Sequence, residues 1–148
     1  MLITKESILL HCDIKEKEDI IRFVANHALT IQKISEVEPF VQAVFHREAE
    51  FSTGVGYGIA IPHGKSAVVK EAFVMFCRVD HVDWKSLDGT DVDMVFMIGV
   101  PELDTSNEHL KILALLSRKL MKEEFRNALR SATTADETLE VFKKWEII

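Results

Sequence analysis

Two apolar periods run through the chain. Over residues 17–29, KEDIIRFVANHAL, the apolar positions Ile20, Ile21, Val24, Ala28 and Leu29 recur at helical spacing and predict an amphipathic helix. A second helix is expected over 35–49. There Ser35 and Glu38 stand as a capping box, and Val37, Phe40, Val41, Val44 and Phe45 form the inward stripe. Pro39 falls early in this helix, where a loose first turn tolerates the missing N–H. The pattern then changes. AFVMFCRV at 72–79 and VDMVFMIGV at 92–100 are nearly continuous apolar runs rich in β-branched and aromatic residues, so they read as strands buried on both faces. LDGT at 87–90 is a turn between them.

Helical spacing returns after 101. Thr105 and Glu108 form a second capping box for a helix over about 106–121, with Leu110, Leu113, Ala114, Ser117 and Leu120 inward and Leu116 partly so. EEFRNALRSA and the Thr134–Glu137 box before TLEVFKKW predict two more short helices. Helices before, between and after strands mark an α/β layer architecture. With no repeat, low-complexity tract or Pro/Gly/Ser linker, a single domain over 1–148 is expected.

Composition narrows the function classes. The 148 residues are 47% hydrophobic and 28% charged, which is ordinary globular usage and excludes disorder. A net charge of −6 argues against a nucleic-acid partner, which needs a basic face. No stretch approaches the about 20 apolar residues of a membrane span, and the MLITKESILLHC start lacks a basic-then-apolar leader. No membrane insertion is expected. Cys12 and Cys77 lie far apart in apolar stretches and read as buried free thiols, which places the chain in a reducing, cytoplasmic compartment. Trp84 and Trp145 are expected either at an interface or packed at an edge.

Several chemistries fail on spacing. The six histidines at 11, 27, 46, 63, 81 and 109 include no i, i+4 or H-x-H pair, so no metal site is expected. Gly64-Lys65-Ser66 resembles the end of a P-loop, but the glycine required five residues earlier is Ile59. Ile59 also stands where the dinucleotide fingerprint beginning at Gly54 needs its third glycine. There is no G-x-S-x-G, and neither cysteine has the cationic surroundings of an activated thiol.

His63 remains. The apolar run Ile59-Ala60-Ile61 meets Pro62, which fixes its own φ and biases Ile61 to extended geometry, so the next side chain leaves the strand end in a defined direction. Gly64 removes steric cover, and Lys65 and Ser66 bring a cation and a hydroxyl. An imidazole so held serves as nucleophile, base or ligand; a phosphoryl acceptor further requires groups for the phosphoryl oxygens. Arg47 is a candidate fork for those oxygens, the alternative being a solvated arginine at a helix end. His109 opens the helix after the second strand, where unpaired N–H groups favour an anion; its alternative is a solvent-facing histidine near a cap.

These residues resemble a known family. STGVGYGIAIPHGKS at 52–66 is similar to the active-site segment of the enzyme IIA components of the phosphoenolpyruvate-dependent sugar phosphotransferase system, fructose/mannitol branch. The likeness extends over Arg47-Glu48, VDWKSLDGTDVDMVFMIGVP at 82–101 and NEHLKILALLSRKLM at 107–121. It implies a mixed β-sheet with helices on both faces and a site at one end of the sheet. It implies a phosphotransferase in which His63 accepts a phosphoryl group from the phosphocarrier HPr and passes it to a cysteine of the cognate enzyme IIB. His109 would then be the second active-site histidine, orienting or polarising the site, and Arg47 the phosphate-stabilising arginine. No metal or cofactor is required, because the group already sits on an activated nitrogen. WKSLDG and NEHLKILALLSRKLM look more like fructose-type than mannitol-type subunits. The alternative is the nitrogen-related regulatory branch, which acts by phosphorylation-dependent protein binding. The chain ends at Ile148 without an enzyme IIB or HPr-like domain, so its partners are expected either as separate molecules or on a larger protein of which it is a piece.

Overall fold

The computed structural model describes residues 2–103 and 107–148, apart from the side chains of Glu108 and His109. After a 3-10 turn at Lys5–Ser7 the elements are β1 (Ile8–Leu9), α1 (Lys17–Thr30), α2 (Val37–Glu50), β2 (Gly54–Gly56), β3 (Ile59–Ala60) and β4 (His63–Ser66). There follow β5 (Phe73–Val82), β6 (Val92–Pro101), α3 (Glu108–Leu120), α4 (Glu123–Ser131) and α5 (Ala135–Lys144). The strands form one mixed sheet in the order β1-β5-β6-β3-β2, with β4 also paired to β6. β5 and β6 are antiparallel, whereas β1 runs parallel to β5, and β3 and β4 parallel to β6.

The continuous apolarity of the two long strands has its cause in burial on both sides. Phe73, Met75, Cys77 and Val79 of β5, with Val95 and Met97 of β6, join the cluster under α1 and α2. Val74, Phe76, Met94, Phe96 and Ile98 point the other way, into the cluster under α3, α4 and α5. In that second layer Phe142 meets Phe76 at 5.7 Å and Phe96 at 6.3 Å, both edge-on. This edge-to-face geometry is favoured by the ring quadrupole and adds about 0.5–1.5 kcal/mol per pair beyond area burial. The fold is therefore a single α/β domain with helices on both faces, as the pattern predicts.

Several local expectations are corrected. Helix α2 starts at Val37, not Ser35, and has no side-chain cap. The backbone N–H of Ser35 donates to Val68 O at 2.9 Å beside the Ile34–Val69 bridge, and Glu38 is taken by Arg22. Pro39 thus occupies the third helical position, where no N–H donor is needed. In α3 the buried residues are Ile112, Leu116 and Leu120, while Leu110 is 56% exposed and Ala114 and Ser117 face solvent. The segment carries leucines on two stripes, and the position of the sheet selects between them. The Thr105–Glu108 box lies outside the described residues. Leu29 is exposed at the end of α1. Trp84 is wholly buried, whereas Trp145 packs on Phe125 with ring centroids 5.4 Å apart. Both cysteines are free and buried, and burial pushes the Cys77 thiol up.

Surface carboxylates couple the fold to acid. Hydrogen bonds from Arg22 and then Gln42 hold Glu38 at about 2, against an ordinary 4.5, and Lys33 lowers Glu71 in the same way. A carboxyl lowered in the folded state contributes stability above its unfolded value and loses it as pH falls through the folded one. The melting temperature is therefore expected to fall between about pH 5 and pH 2. Glu38→Gln is expected to flatten part of that fall, modestly because the pair is exposed. Thermal unfolding followed by circular dichroism across this range is the check, and an unaltered acid slope in the variant would remove Glu38 from the account.

Candidate active site

The strand edge beside β6 is broken, and the break positions His63. β3 pairs with β6 at Met94 and Val95, and β4 resumes the pairing from His63↔Ile98 to Ser66↔Pro101. Ile61 and Pro62 lie between. The Pro62 carbonyl still accepts from Ile98 N–H at 3.0 Å, but Pro62 has no N–H, and Ile61 N–H turns to Thr53 O at 3.0 Å. The Ile61 carbonyl instead meets His63 Nδ1 at 2.8 Å. A carbonyl only accepts, so this bond requires the proton on Nδ1 and, in the neutral ring, leaves the lone pair on Nε2. His63 therefore begins a strand, where the sequence placed it at the end of one.

Helix α2 forms the opposite wall. Ala43, His46, Arg47 and Glu50 recur at helical spacing and, with His63, Gly64 and Lys65, line an open concavity of about 370 Å³. α2 can lie this close because position 64 is glycine: a Cβ there would come within 3.0 Å of Val44 Cγ2 and 3.2 Å of Val44 N. Arg47 and His63 are both half-buried, and Lys65 is exposed. Arg47 Nη1 donates to Phe51 O at 3.0 Å, which ties the guanidinium to the loop leaving α2. One of its five donors is used there. On a chain of net charge −6 the concavity carries two permanent cations against the single carboxylate of Glu50. It is a place for an anion beside an imidazole.

Of the three residues singled out in the sequence, His63 and Arg47 share this concavity. His109 lies in the first turn of α3, and its side chain is outside the described residues. His46 and Glu50 were missed, although their spacing from Ala43 and Arg47 on one helix face was readable. Among the described residues, no group of three or more His, Cys, Asp or Glu is placed to hold a metal ion. Nor is any helix of the described residues long and apolar enough to cross a membrane.

A separate apolar groove is lined by Val55, Tyr57, Ile61, Leu120 and Met121. The Tyr57 ring is stacked under the Arg126 guanidinium at 4.2 Å, while Arg130 forms a two-point ion pair with Asp93 and also reaches Tyr57 O. These contacts hold the β2–β3 hairpin, whose Tyr57 and Gly58 both have positive φ.

Comparison with known proteins gives this arrangement a family. The chain is 38% identical over 144 residues to the PTS system fructose-specific EIIABC component of Bacillus subtilis (strain 168), covering 97% of this chain but 22% of that longer protein. The crystal structure of nitrogen regulatory protein IIA-Ntr from Neisseria meningitidis superposes with a TM-score of 0.85 at 29% identity, covering 95% of each chain. The complex of enzyme IIAMTL and phosphorylated enzyme IIBMTL from Escherichia coli matches with a TM-score of 0.80 at 26% identity, covering 96% of this chain and 97% of that one. Residues 1–145 match the family described as "Phosphoenolpyruvate-dependent sugar phosphotransferase system, EIIA 2", and the chain belongs to that phosphocarrier family.

Proposed function

We propose that Nε2 of His63 accepts a phosphoryl group from phosphorylated HPr and passes it to a cysteine of the enzyme IIB of a fructose-type sugar permease, from the cytoplasm. The observation that carries this reading is the 2.8 Å bond from His63 Nδ1 to Ile61 O, which puts the nucleophilic lone pair on Nε2. In the acceptance step an Nε2–P bond forms as the N–P bond of the donor histidine breaks, and the donor nitrogen keeps that bond's electron pair. The proton stays on Nδ1, donated to Ile61 O, and that bond supports the positive ring. In the second step a thiolate attacks phosphorus: an S–P bond forms as the Nε2–P bond breaks, and Nε2 keeps that bond's electron pair. The group carries close to two negative charges, so the cations of Arg47 and Lys65 oppose its developing charge through both steps. His109 acts as an orienting or polarising group by resemblance to the family. The fructose assignment draws on the Bacillus subtilis relative, and enzyme IIB as acceptor on the mannitol complex.

The test is phosphorylation of the purified chain by phosphoenolpyruvate and the general phosphotransfer proteins, then discharge onto candidate enzyme IIB domains. Arg47→Ala is expected to slow acceptance by about 100-fold while leaving the melting temperature nearly unchanged. Lost stability with an unchanged rate would make Arg47 structural. A second reading, regulation by phosphorylation-dependent protein binding, is favoured by the likeness to the Neisseria meningitidis IIA-Ntr structure. A charged protein that discharges onto no enzyme IIB would support it.

A further inference from the structure

We infer that Glu48 is a positioning residue for His63, acting through Thr53 and Ile61; its catalytic consequence rests on the phosphocarrier reading above. Glu48 follows Arg47 on α2 but faces inward, its side chain 7% exposed. Four donors converge on its carboxylate. Lys17 Nζ of α1 lies 3.1 Å from Oε2 and Thr53 N–H 3.2 Å from the same oxygen; Trp84 Nε1 lies 3.3 Å from Oε1, and Thr53 Oγ1 also donates to Oε1. The indole N–H is shared with Thr53 Oγ1 at 3.1 Å. A buried carboxylate with its charge balanced and its lone pairs filled is a rigid anchor, and removing one member disturbs the rest.

The anchored residue holds the site. Thr53 is 2% exposed and bonded to Glu48 by both its backbone N–H and its hydroxyl, while its own carbonyl accepts Ile61 N–H at 3.0 Å. Ile61 is thereby fixed on its amino side by Thr53. On its carboxyl side it is fixed by the Pro62 ring, whose carbonyl is pinned to Ile98. With both ends held, the Ile61 carbonyl is aimed at His63 Nδ1. Glu48 thus favours the proton on Nδ1, although it is joined to the ring only through two other residues. The same anchor secures the loop that takes the Arg47 bond at Phe51 O, so one carboxylate steadies both sides of the concavity.

The test is Glu48→Gln, which keeps the shape and removes the charge and one acceptor oxygen. Long-range ¹⁵N–¹H NMR of the imidazoles reads the Nδ1–H to Nε2–H ratio on the unphosphorylated protein, so the result does not depend on His63 being the acceptor. The expected result is a ratio for His63 lowered about tenfold and a phosphoryl-acceptance rate lowered by about the same factor. His27, whose Nδ1 meets Phe23 O at 3.2 Å within α1, should keep its tautomer and serves as the internal control. Thr53→Val removes the hydroxyl without changing the side-chain shape, and should move both readouts in the same direction by about threefold. It decides alone if Glu48→Gln does not fold. A folded variant with the His63 ratio and the acceptance rate both at wild-type values would overturn the inference.

Discussion

His63→Ala is expected to abolish acceptance of the phosphoryl group while leaving the fold intact. The loss should be complete because in the proposed reaction this side chain supplies the attacking atom itself, and no positioning or charge stabilisation replaces a missing nucleophile. The fold should survive because His63 is only half-buried and the ladder between β4 and β6 is made by backbone. His63→Asn sharpens the experiment, since its amide N–H can replace Nδ1–H on Ile61 O while offering no nucleophile. If Asn matches wild type in melting temperature and Ala is slightly lower, the difference reports the Ile61 bond, worth about 0.5–1.5 kcal/mol. Incorporation is followed with labelled phosphoenolpyruvate and the general phosphotransfer proteins, and the modified residue is located by mass spectrometry. Label persisting in either variant would sink the assignment, and His46, exposed on the same concavity, is the first place to look for it.

Much of this site was legible because its determinants are local in sequence. Pro62-His63-Gly64 carries its own geometry: the proline interrupts the ladder, the glycine admits α2, and the histidine lies between them. The long strands β5 and β6 were legible because burial on both faces leaves continuous apolarity. What the sequence hid depends on partners far along the chain. The resumption of the strand at His63 needs Ile98–Pro101 as its neighbour, and nothing in HGKS alone predicts a strand. Glu48 reads as an ordinary surface carboxylate near a helix end, because its burial depends on Trp84, 36 residues away, and on Lys17 of another helix. The face of α3 was legible only in part, at Leu113 and Leu120, for a third reason. Leu110, Ile112, Leu113, Leu115 and Leu116 satisfy helical spacing on overlapping stripes, and the packing that selects Ile112 and Leu116 lies on β6 and α4.

Gly99→Ala is expected to be among the most destabilising single-methyl changes in the molecule. Gly99 of β6 lies opposite Phe73, the first residue of β5, on one side and Gly64 of β4 on the other. A Cβ at position 99 would come within 2.2 Å of Phe73 Cε1 and 2.5 Å of its Cζ. The ring cannot step aside, because Phe73 is fully buried and packs on Phe40 of α2 with centroids 5.6 Å apart. Overpacking of this kind costs about 1–3 kcal/mol and occasionally more. For a chain of this size that corresponds to a fall of about 3–10 °C in melting temperature. The displacement has a direction: moving Phe73 presses on Phe40 and α2, and moving β6 shifts the strand that holds Gly64 and His63. Phosphoryl acceptance should therefore slow as well, though far less than in His63→Ala. Phe73→Leu combined with Gly99→Ala makes the argument decisive, since the smaller side chain vacates the space the new methyl needs. The double variant should be more stable than the sum of its single changes implies. If Gly99→Ala alone melts with wild type, or the two changes simply add, Phe73 does not fill the space above Gly99.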